Sequence, residues 1–187
     1  MRLFLIRHTT PFLGANKTLS DYCYGQSDLP LASSFTDEIT AIKANLAQYQ
    51  IDSSVTVISS PLSRCRLLAM GLFPNHPIEW EPRLMEMHFG NWELQAWSQI
   101  PFAEVESWKN DLMHYQPGAG ESFFEVIERC QSVLSDLRNR NFAETDTVII
   151  VTHSGPIRAL MHLQLQQPPQ QTIAISIPFG HIVEFVI

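Results

Sequence analysis

Apolar residues fall along the chain in short continuous runs, separated by stretches of helical spacing. Residues 2–7, Arg-Leu-Phe-Leu-Ile-Arg, form the first run and read as a buried strand. A long polar loop follows, punctuated by Pro11, Gly14, Asn16, Gly25 and Pro30. Over 34–49, Phe35, Ile39, Ile42, Leu46 and Tyr49 recur every three or four positions and predict a helix. Residues 55–58 read as a second strand. Ser60-Pro61 predicts a helix running to about Gly71, with Ser60 as N-cap and Pro61 at the first helical position. Ile78 and Trp80 mark a short third strand, and 92–116 is weakly helical and rich in aromatics.

Gly120-Glu121-Ser122 opens a long helix to about Arg140, with Phe123, Val126, Ile127, Cys130, Val133, Leu134 and Leu137 on one face. Residues 147–151 form another buried run, followed by a helix from about Ser154 to Leu163. The Gln- and Pro-rich stretch 164–171 reads as a connector. Residues 172–177 and 181–187 read as a closing pair of strands around Pro178-Phe179-Gly180. Strands alternating with helices predict an α/β sandwich with a mostly parallel sheet. A single domain over 1–187 fits that pattern, with an insertion at about 92–118.

Composition narrows the class. Hydrophobic residues make up 45% and charged residues 17%, values of a globular chain. The net charge of −7 argues against nucleic acid as a partner. It does not argue against a small phosphorylated substrate, which feels the local cluster of cations rather than the global sum. No stretch approaches the ~20 apolar residues that span a bilayer, so no membrane association is expected. Cys23, Cys65 and Cys130 are odd in number and widely spaced, which fits neither a disulfide framework nor a zinc site. A cytoplasmic location is the simplest reading. Small buried hydrophobes are the expected role of Cys23 and Cys65.

Three apolar runs end in residues that carry chemistry. The first ends in Arg7-His8-Thr9, the second runs into Ser59-Ser60-Pro61-Leu62-Ser63-Arg64, and the third ends in Thr152-His153-Ser154-Gly155. In a parallel sheet these ends meet at one edge, where ligands sit. Two arginines and two histidines then converge there. Neutral imidazole is a nucleophile for phosphorus, and guanidinium forks match phosphate oxygens. Backbone N–H groups at the helix start after His153 add further donors to an anion. Any one such residue alone would more often be structural.

These segments resemble the signatures of the histidine phosphatase superfamily. Leu5-Ile6-Arg7-His8-Thr9-Thr10 resembles its Arg-His-Gly motif, and residues 25–31 its second loop motif. Residues 59–64 resemble the segment supplying a second phosphate arginine, and residues 86–93 the general-acid segment. Residues 120–122 and 151–155 resemble the remaining two. Within the superfamily the likeness is to the alpha-ribazole phosphatases of cobalamin assembly, through residues 22–28 and 86–93.

The resemblance implies a phosphoglycerate mutase-like α/β fold, a three-layer α/β/α sandwich with its insertion over the site. It implies a phosphomonoester hydrolase with a phosphohistidine intermediate on His8. Arg7, Arg64 and His153 would form the phosphate pocket, and Glu86 would protonate the leaving group. Ser154, Tyr24, Gly25 and Gln26 would contact substrate. No metal or cofactor is implied. For Glu86 the plain alternative is a surface carboxylate, with Glu93 the substitute donor.

The chain departs from the family pattern at several positions. Thr9 replaces a Gly, Cys65 an Ala and Ser154 a Gly. Gly14 replaces an Asn and leaves one expected phosphate contact open.

The expected substrate is a small molecule such as alpha-ribazole 5′-phosphate. A broad-specificity phosphatase or a mutase is the alternative on the same site, and a non-enzymatic phosphate-binding module the alternative of another class. Mutases of the family carry extra lid segments that this chain lacks. Trp92, Trp97, Phe102, Trp108 and Tyr115 either form a lid that stacks on an aromatic leaving group or pack the insertion onto the core. His88 and His181 read as structural.

Overall fold

The computed structural model describes residues 1–51 and 54–186. Five strands form one sheet: β1 (Arg2–Arg7), β2 (Thr56–Ser59), β3 (Ile78–Trp80), β4 (Thr147–Thr152) and β5 (Ile182–Val186). Their order is β3-β2-β4-β1-β5. All neighbouring pairs run parallel except β5, which lies antiparallel to β1. Between their polar end residues the central strands β1 and β4 are apolar without interruption, because both faces of the sheet are covered.

Alternate side chains sort to the two faces. Leu3, Leu5, Val148 and Ile150 pack with α4 (Phe123–Arg138) and α5 (Ser154–Leu165). Phe4, Ile6, Ile149 and Val151 pack with α1 (Phe35–Leu46) and α2 (Ser63–Leu72). The result is the expected three-layer α/β/α sandwich. Ser122 caps α4 through a reciprocal box: its Oγ accepts from the Glu125 N–H, and the Glu125 carboxylate accepts from the Ser122 N–H. The insertion holds α3 (Phe102–Asn110) among short 3₁₀ turns. None of the helices among the described residues is long and apolar enough to cross a membrane.

Two expectations are corrected. The second helix starts at Ser63 with Leu62 at its N-cap, not at Ser60. The Ser60 hydroxyl lies instead 2.8 Å from His153 Nε2. Residues 172–177 do not form a strand. Pro169, suited to a first helical turn, opens α6 (Pro169–Ile173), and β5 closes the sheet without a hairpin partner. Ile187, at the end of the expected closing strand, lies outside the described residues.

Candidate active site

The parallel register brings the expected strand ends together. Arg7 pairs with Thr152, and Ser59 with Val151. The ladder continues past the strands: the His8 N–H donates to Thr152 O and the Ser60 N–H to Val151 O, each at 3.0 Å. His8 and His153 thereby stand side by side, with ring centroids 4.9 Å apart.

Hydrogen bonds fix the tautomers of both rings. His8 Nδ1 lies 2.7 Å from the Thr9 carbonyl, so Nδ1 carries the proton. The lone pair of the neutral ring is then on Nε2. Arg64 Nε donates to His153 Nδ1 at 3.2 Å, which leaves Nε2–H of His153 to donate to Ser60 Oγ. Burial, reinforced by the Arg64 charge, holds both imidazoles well below their ordinary pKa. Both rings are therefore neutral at pH 7.

Arg64 is fully buried and anchored by carbonyls. Its Nη1 donates to Ser27 O at 2.8 Å and its Nη2 to Gly25 O. Arg7 stacks on Phe179 and donates to Ile177 O. Burial pulls Arg7 below its ordinary value, partly opposed by the Glu86 carboxylate. Glu86 lies at the start of α5, where the Gly155 N–H donates to Oε1 at 3.0 Å and the Ser154 hydroxyl to Oε2 at 3.1 Å. A Cβ on Gly155 would come within 2.2 Å of Glu86 Oε1, so only glycine lets the carboxylate sit there.

Glu93 is placed quite differently. It accepts from the backbone of Gly25, Gln26, Ser27 and Phe89 and from the Ser27 hydroxyl. Burial opposes ionisation of this carboxyl, but hydrogen bonds led by those from Ser27 and Phe89 outweigh it and hold the pKa below the ordinary value. Glu93 is thus the post around which loop 25–27 is wound.

A cleft of about 310 Å³ opens over this centre. Arg7, His8, Tyr24, Glu86, Ser154 and Gly155 line it, as do Tyr22, Phe89, Trp97, Trp108, Leu112, Arg158 and Ile173. Of the expected substrate contacts, Tyr24 and Ser154 reach the cleft. Gly25 and Gln26 sit behind it, the Gln26 amide donating to Glu86 O at 3.0 Å. Arg64 and His153, expected in the phosphate pocket, are fully buried and do not line the cleft.

Both readings of the aromatics hold in part. Trp92 is buried with Cys23 and Ile100 in a small separate core. Trp97 and Trp108 belong to that cluster and also face the cleft, stacked 4° from parallel. Phe102 does neither and is 76% exposed. All three cysteines are free and buried, and Cys65 Sγ lies 3.3 Å from His153 Nε2.

Sequence reasoning missed Arg158 and Tyr22. Arg158 follows Ser154 by four residues on α5 and so shares its face. Tyr22 precedes Tyr24 by two in extended chain. Both spacings were readable.

Gly25 offers a direct test of the loop. A Cβ there would lie 1.9 Å from the Met87 carbonyl oxygen, a backbone atom that cannot step aside. Gly25→Ala should destabilise the fold by about 1–3 kcal/mol. It should also lower turnover, because Gly25 O anchors Arg64. A thermal melt and an assay check both effects.

The fold and this centre define a class of enzyme: an α/β sandwich with arginines, paired histidines and a carboxylate at the carboxyl ends of its parallel strands. The profile of the histidine phosphatase superfamily (branch 1) matches residues 3–187, and the chain belongs to that superfamily. It is a phosphatase. The adenosylcobalamin/alpha-ribazole phosphatase of Escherichia coli is 26% identical over 96% of this chain and 93% of that protein. The glucosyl-3-phosphoglycerate phosphatase of Mycolicibacterium vanbaalenii is 28% identical over 89% of this chain and 75% of that protein. The crystal structure of the alpha-ribazole phosphatase from Shigella flexneri has the same fold, with a TM-score of 0.82 at 23% identity over 98% of this chain and 89% of that one.

Proposed function

We propose that the chain hydrolyses a small phosphomonoester through a phosphohistidine on His8. The observation that carries this reading is the tautomer: Nδ1–H is tied to Thr9 O and the Nε2 lone pair is left for attack. In the first half-reaction Nε2 bonds to phosphorus and the bond to the leaving oxygen breaks. Glu86, in its protonated form, gives that oxygen its proton. In the second half-reaction Glu86 as carboxylate takes a proton from water, whose oxygen bonds to phosphorus. The P–N bond breaks, which releases inorganic phosphate and neutral His8. Arg7 on the cleft wall stabilises the charge on the transferring group, with the buried Arg64 charge and His153 supporting it from behind the wall; most of the acceleration arises there.

The leaving group of this substrate carries an aromatic ring system, as alpha-ribazole 5′-phosphate does. Tyr22, Tyr24, Phe89, Trp97 and Trp108 around the cleft support that reading, as does similarity to two phosphatases named for alpha-ribazole. Comparing kcat/KM across phosphomonoesters tests it, with alpha-ribazole 5′-phosphate, glucosyl-3-phosphoglycerate, phosphoserine and 3-phosphoglycerate as substrates. Alpha-ribazole phosphate should lead by tenfold or more, about 1.4 kcal/mol of differential binding. Equal rates would favour a broad phosphatase, and phosphoryl transfer within 3-phosphoglycerate would favour a mutase.

The pH dependence follows from the depressed histidines. A nucleophile with a lowered pKa stays neutral until pH falls well below 6.5. The acid limb of kcat/KM, after allowance for ionisation of the ester, should therefore lie below 6.5. The unfolded chain binds protons that the buried rings refuse, so stability should fall as pH drops through 6.5. A kcat/KM profile and urea midpoints across that range check the two statements.

A further inference from the structure

We infer that Phe179 is a positioning residue that orients Arg7 toward the phosphate. The inference rests on the reading of Arg7 as a phosphate ligand. The guanidinium carbon of Arg7 lies 4.0 Å from the centroid of the Phe179 ring, within the range of a cation–π contact. The same ring lies 5.5 Å from that of His8. One aromatic ring therefore contacts both the cation and the nucleophile.

Arg7 needs such a support. Its side chain is largely buried, and Nε has no hydrogen-bond partner among the described residues. Nη1 donates to Ile177 O, and the Tyr24 hydroxyl accepts a second hydrogen bond from the guanidinium. Few polar contacts thus fix the tilt of the plane, and a guanidinium binds phosphate well only when its fork is correctly aimed. The ring is itself held in place. The Gly180 N–H donates to Arg7 O and His8 O at 3.2 Å each, and the Arg7 N–H donates to His181 O at 3.0 Å. The turn carrying Phe179 is therefore stitched to the backbone of the residues it supports.

Phe179→Leu keeps apolar bulk and removes the π face. The test measures the inhibition constant of inorganic phosphate and kcat/KM for p-nitrophenyl phosphate. Phe179→Leu should weaken phosphate about tenfold, the scale of a half-buried cation–π contact, and lower kcat/KM by a similar factor. Phe179→Tyr should stay within about twofold of wild type, since its ring has a comparable face. In an Arg7→Ala background the further change to Leu should have no effect on phosphate. Melting temperatures of the two Phe179 variants show that both are folded.

Wild-type phosphate inhibition in Phe179→Leu would overturn the inference alone. So would an undiminished loss in the Arg7→Ala background, which would mean that the ring acts on something other than Arg7. If Arg7→Ala left phosphate inhibition unchanged, the reading of Arg7 as a phosphate ligand would fall and the inference with it.

Discussion

His8→Ala should abolish turnover while leaving the fold intact. Loss of a nucleophile lowers kcat on the order of 10⁴-fold or more. The structural effect is small by comparison. The substitution removes one hydrogen bond, from Nδ1 to Thr9 O, worth about 1 kcal/mol, and it leaves a small buried void. His153 keeps its bonds to Arg64 and Ser60, so the buried polar group next to His8 persists. Wild-type enzyme quenched during turnover of ³²P-labelled substrate should carry acid-labile label, as a P–N bond requires. The variant should carry none. Acid-stable label would point instead to an ester on a hydroxyl such as that of Ser154, which also lines the cleft. Substantial turnover in well-folded His8→Ala would remove the covalent mechanism altogether.

Much of this is legible in the sequence alone. The central strands announced themselves because a strand buried on both faces must be apolar throughout. Parallel pairing then placed Arg7, His8, Arg64 and His153 at one edge without knowledge of side-chain contacts. What could not be read was long-range and local at once. Ser60 has a capping residue's sequence context, yet its hydroxyl answers to His153, 93 positions away. Residues 172–177 carry an apolar pattern suited to a strand, but the Pro168-Pro169 pair starts a helix that takes in Thr172 and Ile173, and the chain beyond it joins no strand of the sheet. Phe179 lies in a segment whose sequence suggested only closure of the sheet. Its role emerges from the Gly180 and His181 bonds to Arg7 and His8. Periodicity reports which face a residue occupies, not which distant polar group it meets.

The two carboxylates of residues 86–93 show the same limit and give the sharpest remaining test. Their spacing alone left either as the proton donor. In Glu86→Gln the amide oxygen can still accept from the Gly155 N–H, so the start of α5 is kept and only the acidic proton is lost. General acid catalysis contributes about 10²–10⁴-fold where the leaving group is a poor alkoxide. Turnover of an alkyl phosphate should fall by that order, and turnover of p-nitrophenyl phosphate much less, since nitrophenolate departs without protonation. Glu93→Gln should behave otherwise. An amide offers one acceptor oxygen where the loop presents the N–H groups of Gly25, Gln26, Ser27 and Phe89, and its NH₂ would face donors. Each donor left unsatisfied costs about 1–3 kcal/mol, and each kcal/mol lowers Tm by about 2–4 °C in a chain of this size. Loop 25–27 would loosen its grip on Arg64 through Gly25 O and Ser27 O. Both substrates should then suffer alike, with a lowered Tm. Equal losses in Glu86→Gln would make Glu86 a phosphate-positioning group. A loss confined to the alkyl ester in Glu93→Gln would transfer the acid's role to Glu93, against the five hydrogen bonds that hold it away from the cleft.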